Sequence, residues 1–287
     1  MNDRGATSSG RPGPRRPRRR RLRRFGGGLA ALLALTLVAL KPLPGCSGTG
    51  PRSVDLLDPP AKTEEERRAA RTDAESSRER FEATGDTTAL VWALRMYQRA
   101  GDRIGAARAT ADLAIEWKDR AKAYARLGVV HAEAAIAEDP QDPAAHYYFA
   151  ANLGLLLGAE SLPSLGRVPE IARAAERSHE LDPRLEHGAA AHLLGMLYLR
   201  APAWPVSIGD IDEAETWLAR ALAAAPDWPQ HYLALAELRA EQDRPEEARQ
   251  ALEKVLALPV PPEKRYRGEK WRAQARERLA ALGQASR

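Results

Sequence analysis

Apolar and small residues recur along most of the chain at helical intervals, without the strict alternation of strands. Between residues 210 and 259 the pattern repeats: Ala214, Leu218 and Ala221 return as Ala248, Leu252 and Val255 after thirty-four residues, and Pro226 returns one residue early as Pro259. The helix between them, residues 229–241, carries Tyr232, Leu235 and Ala236. Upstream, Leu90, Ala93, Leu94 and Tyr97, a Gly101-Asp102 turn, and Ala106, Thr110 and Leu113 read as a first, degenerate helical pair. Residues 121–138 then form a long alanine-rich helix with no first helix of its own. Residues 63–82 offer only Ala70, Ala74 and Phe81 as a thin apolar stripe and read as a solvated leading helix. The last helix, residues 269–282, sets Trp271, Ala275, Leu279 and Leu282 on one face, as a terminal cap should. Starts are marked by Asp142-Pro143, by Asp210 with Glu213 and by Asp227 with Gln230. The predicted fold is all-α: a solenoid of stacked helical hairpins over residues 63–287 with a C-terminal capping helix.

A small residue where two helices cross, a larger apolar one a turn later, another small or apolar one after it and a terminating proline form the signature of the tetratricopeptide repeat, which residues 214–226 resemble. Pro140, Pro183 and Pro226 are each forty-three residues apart, longer than that repeat. The surplus falls inside two hairpins. One insertion, within residues 154–167, contains Leu157, Leu162 and Leu165; the other, residues 200–209, contains Trp204, Val206 and Ile208. Both are more apolar than a surface loop. In a solenoid such insertions share one edge, where they either fold back to complete the core or form a rim for a partner subunit or an apolar ligand. A partner subunit there could equally be a second copy of this chain.

Charge changes the picture at the N-terminus. Residues 1–46 hold ten arginines and one lysine against one aspartate, and without them the formal charge of +5 becomes −5. The basic balance therefore belongs to a leader and gives no argument for a nucleic-acid partner. Residues 15–24 are a positive block, residues 29–40 a twelve-residue apolar run, and Leu43-Pro44-Gly45-Cys46 follows. The run is far short of the roughly 20 residues that a permanent membrane span requires. The arrangement matches a secretory signal, and the tetrapeptide resembles the lipobox of bacterial lipoproteins, which makes Cys46 the expected lipidation site. An uncleaved basic tail is the alternative. Ser47 after the cysteine resembles the sorting pattern for the outer membrane, and residues 47–62 read as a flexible tether.

Candidate chemistry is sparse. The six histidines make no metal spacing; His187 and His192 lie five apart, on different helix faces, and read as ordinary polar or core residues. Tyr147, Tyr148, Phe149, Trp228 and Tyr232 sit at spacings that core packing explains. No catalytic residue, metal ligand or cofactor is implied, and the expectation is a non-enzymatic protein.

The phrase from Asp142 to Tyr148, the boundary Leu181-Asp182-Pro183, the helix containing Leu194-Gly195-Met196-Leu197-Tyr198 and Gly209-Asp210 before Glu213-Ala214 together resemble the T-component (TatT-like) lipoproteins of TRAP transporters. That resemblance implies a periplasm-facing, lipid-anchored helical-repeat protein that pairs with a periplasmic solute-binding protein. The competing expectation is an envelope-assembly or secretion scaffold whose groove holds peptides or other protein partners.

Overall fold

The structure, a computed structural model, describes residues 59–160 and 164–285. The leader with Cys46 and the tether up to residue 58 lie outside the described residues. Among the described residues eleven α-helices follow one another: α1 (Glu64–Thr84), α2 (Thr87–Ala100), α3 (Arg103–Glu116), α4 (Ala121–Glu138), α5 (Pro143–Gly158), α6 (Val168–Leu181), α7 (Ala189–Arg200), α8 (Ile211–Ala224), α9 (Pro229–Glu241), α10 (Pro245–Ala257) and α11 (Arg265–Ala285). Among the described residues there is no strand, only an isolated bridge between Ala203 and Gly209.

Local chemistry fixes most helix ends. Thr63 and Glu66 form a reciprocal capping box on α1, and Asp86, Asp102, Asp142 and Asp210 each accept backbone N–H bonds at the start of their helices. Asp227 does not cap α9: Trp228 occupies that position without a side-chain bond, and Pro229 begins the helix. The helix α5 runs on to Gly158 because Leu156 and Leu157 find the core, so part of the first insertion is helix rather than loop.

Each helix packs on the next, and the hairpins pair as α1 with α2, α3 with α4, and so on to α9 with α10. This corrects the expected phase at the N-terminus. The α3 helix pairs more extensively with α4 than with α2, so α4 does have a first helix, and α1 is a full member of the array rather than a solvated leader. Its thin stripe suffices: Ala70 and Ala74 let α2 approach, while Phe81 and Glu82 are buried.

Small residues set how closely the layers meet. A Cβ on Gly128 of α4 would lie 2.0 Å from Asn152 Oδ1 and 2.5 Å from Thr110 Oγ1. Asn152, wholly buried on α5, donates to the carbonyls of Ala107 (2.9 Å) and Tyr148 (2.8 Å), and Thr110 donates to its own helix. Three helices thus lock around two satisfied polar side chains with no room for a methyl group.

The last helix closes the array. Trp271 and Ala275 pack with Leu233, Leu252 and Val255 of α9 and α10, as a cap should. Its first turn, with Lys264 just before it, does more, reaching back to α1 and α3. Tyr266 stands edge-on to Phe81 with ring centroids 5.3 Å apart and donates to Glu116 (2.9 Å). Lys264 pairs with Glu82 at 2.8 Å, and Arg267 bridges Glu82 and Asp112.

Gly128→Ala is expected to destabilise the fold by about 1–3 kcal/mol, because Asn152 is tied on both sides and α4 must give way. Gly283→Ala, on α11 with no atom within 4 Å of the new methyl, should be neutral or stabilise by up to about 1 kcal/mol. Urea denaturation midpoints of the two variants check this.

Candidate functional site

The odd-numbered helices face inward and, with α11 across the end, line a cleft that is open to solvent. Arg78 and Glu82 enter it from α1, Arg108, Asp112 and Ile115 from α3, and Tyr147, Tyr148 and Leu155 from α5. Glu186 comes from the turn that precedes α7, His192 and Leu193 from α7 itself, Gln230 from α9, and Lys264 and Arg267 from the closing segment. The wall is both charged and apolar, with most charges paired.

Arg108 donates through Nε to Tyr148 Oη (2.7 Å) and through Nη2 to Glu186 (2.6 Å), and Tyr148 donates to the same carboxylate (3.0 Å). Glu186 reaches this position from a strained turn: Glu186, His187 and Gly188 have φ of 45°, 64° and 79°, and only the last is a glycine. Non-glycine residues held left-handed cost about 1–2 kcal/mol each, offset here by the contacts the turn makes. Burial works against the charge on Arg108, but Tyr148 and Glu186 outweigh it and hold the guanidinium above its ordinary range. Arg267 is held in the same way by Asp112 and Glu82. Burial, and then Glu186, push the Tyr147 and Tyr148 phenols up, so both stay protonated donors.

The same turn orders a histidine relay. His231 Nε2 bonds the His187 carbonyl at 2.8 Å, which requires that nitrogen to carry the proton. Its Nδ1 is then the acceptor in the 3.1 Å contact with His192 Nδ1, and His192 must donate. The His187 ring stacks on Trp228 with centroids 3.8 Å apart. His192 and His231 are buried, as core histidines should be. Burial drives His192 well below its ordinary range, with His231 beside it adding to the effect, and burial lowers His231 to about 4. Among the described residues no group of three or more His, Cys, Asp or Glu side chains gathers as a metal site.

The two insertions behave differently from each other. Leu157 lies on α5, 1% exposed in the main core, and is therefore no part of a rim. Leu162 lies outside the described residues. Leu165 and Ile208 are half-buried and rest on the same core cluster. Trp204 and Val206 point outward, 85% and 64% exposed. Their loop is pinned at its base: Asp210 N–H donates to the Tyr198 carbonyl (3.0 Å), Gly209 N–H to Pro202 (2.9 Å) and Val206 N–H to Ala203 (3.1 Å). Gly209 is required there, since a Cβ would fall 2.0 Å from the Ala201 carbonyl oxygen. The expected rim thus divides into a packed part and an exposed tip of Trp204 and Val206.

The cleft does not show in the sequence pattern. Arg78 belongs to a helix that reads as solvated, and Tyr147 reads as a core aromatic although it is half-buried at the cleft wall and only its neighbour Tyr148 is fully buried. The doubled tyrosine of α5 is the one available signal, because adjacent helical residues cannot both face the core.

No protein-family model matches the chain, and no curated protein matches it. Among solved structures, the chain is similar to TTC0263, a thermophilic TPR (tetratricopeptide-repeat) protein in Thermus thermophilus. The identity is 18% and the TM-score 0.56, over 75% of this chain and 98% of that one. The likeness is one of fold, and with the helical order above it makes the protein an all-α, TPR-like solenoid.

Leu157→Ala is expected to cost about 2–5 kcal/mol, whereas Trp204→Ala should leave the denaturation midpoint almost unchanged, within about 0.5 kcal/mol. The buried histidines predict a pH dependence. In the unfolded chain an imidazole protonates near 6.5, while folded His231 stays neutral until about 4. Below pH 6.5 the unfolded state therefore binds more protons, and stability falls as pH drops through that window. Urea midpoints measured from pH 7 to pH 5 should decline, and less steeply in His231→Gln.

Proposed function

We propose that the protein is an exported lipoprotein, anchored through Cys46 to the outer membrane and facing the periplasm, whose TPR-like body docks a solute-binding protein of a TRAP-type transport system. The role is one of binding, without catalysis. The observation that carries this reading is the tip of residues 204–206. A tryptophan and a valine stand in water on a loop whose backbone is fixed by its own hydrogen bonds. Neither contributes to the core. A rigid, solvent-facing tryptophan is the type of side chain that dominates interface energies when a partner buries it, since it removes large apolar area at little further cost in entropy. A folded receptor can reach such a tip.

The competing scaffold, which would hold peptides in the groove, has less support. An extended peptide needs a groove open along its length, and here α11 crosses from α9 and α10 to α1 and α3. Adjacent genes for a solute receptor and a membrane permease would strengthen the transport reading.

The test replaces Trp204 with a photo-crosslinking amino acid in intact cells, with exposed Glu79 of α1 replaced as control. A periplasmic solute receptor should be captured at 204 and not at 79. Capture of a pilus, secretion or outer-membrane assembly component instead, or of nothing above the control, would sink the docking reading.

A further inference from the structure

The cleft contains donors that the protein itself leaves unused. Arg78 spends its Nε on Glu75 at 3.1 Å, and its two Nη groups have no hydrogen-bond partner among the described residues. Arg108 spends Nε and Nη2 on Tyr148 and Glu186, which leaves Nη1. The Tyr147 hydroxyl, on the same wall, likewise has no partner among the described residues. The Arg78 and Arg108 side chains are only 19% and 24% exposed. Two guanidiniums on neighbouring inward helices, partly withdrawn from water, repel each other more than they would in bulk solvent. Glu75 and Glu186 already offset that repulsion, so what the pair still offers is charge-assisted hydrogen bonding from its free Nη groups, whose planar forks suit the two oxygens of a carboxylate. Beyond them the cleft presents Ile115, Leu155 and Leu193. A free inorganic anion would leave that apolar surface wet.

We propose that the cleft binds a small organic carboxylate, its two oxygens gripped by Arg78 and Arg108, with Tyr147 donating to them and its carbon body laid on Ile115, Leu155 and Leu193. The pairs at the far end, Glu82 with Lys264 and Arg267 with Asp112, bound the site and keep their partners. The assignment does not depend on docking at the 204–206 tip, which uses other residues.

Isothermal titration of the full chain, purified from solubilised membranes, with acetate, hexanoate and phenylacetate tests it, with hexan-1-ol and inorganic phosphate for comparison. Hexanoate or phenylacetate should bind saturably and more tightly than acetate, and hexan-1-ol should give no saturable heat. Loss of charge-assisted hydrogen bonds in Arg78→Gln should weaken binding about tenfold or more. Tyr147→Phe, which removes a single unpartnered hydroxyl and so leaves the fold intact, should weaken it several-fold, by roughly 0.5–1.5 kcal/mol converted to affinity. The proposal is overturned if none of the three acids binds at about 10 mM, well above a millimolar Kd. Phosphate binding as tightly as the best acid would also overturn it, and so would unchanged affinity in both variants.

Discussion

The contact between the first turn of α11 and the helices α1 and α3 decides what kind of object this solenoid is. A helical-repeat array is ordinarily open at both ends, each repeat touching only its neighbours. Here Lys264, Tyr266 and Arg267 meet Phe81, Glu82, Asp112 and Glu116, residues about 150 or more positions away in the chain. The attraction in such partly buried ion pairs is largely offset by the desolvation of both partners, so they add little net stability over an apolar contact. Their effect is on register. Glu82 is 3% exposed at its side chain and would be costly without its two cations, so only the arrangement that supplies them is tolerated. The Phe81–Tyr266 contact beside them adds apolar burial without choosing a register.

Closure converts a groove into a cleft. In an open array the inner faces of α3, α5 and α7 would look onto bulk water, and their charges would be screened. With α11 in place the same charges face one another across a confined space of lower effective dielectric, so pairings such as Arg108 with Glu186 and Tyr148 become more strongly determined. The strained turn at Glu186 and His187 fits this picture. It persists because Arg108 holds its carboxylate and His231 its carbonyl, contacts that an unstrained turn would not supply.

How much of this is legible in the sequence depends on whether the determining contacts are local. The thirty-four-residue recurrence marks α8, α9 and α10, because small residues at helix crossings and terminal prolines act within one repeat. The phase of the first repeat is misleading because Gly101-Asp102 makes as good a turn as any hairpin, while the choice between α2 and α4 as partner of α3 lies in Gly128 meeting Asn152, one helix further on. The helix α1 reads as solvated because its buried glutamate is matched by cations roughly 180 residues later, a separation no local pattern encodes. Of the expected rim, Trp204 and Val206 are exposed and Leu157 is not. A leucine at a helix end can extend the helix into the core, whereas the Pro202 and Pro205 of the second insertion prevent any continuation of α7.

The same helices carry the cleft wall and the exposed tip, yet the two are mechanically separate. The α7 helix contributes Leu193 to the cleft and ends at Arg200, where the loop to α8 begins. That loop is anchored by backbone bonds at Tyr198, Pro202 and Ala203 and by Ile208 on the core, all inside the tip. Side chains at 204 and 206 take no part in those anchors, so their identity can change with the partner while the cleft stays as it is. The cleft, in turn, is fixed by ion pairs and tyrosines that make no contact with solvent-facing Trp204. One scaffold can thus present an apolar tip to a protein and a guanidinium-lined cleft to a small molecule, each set by its own residues.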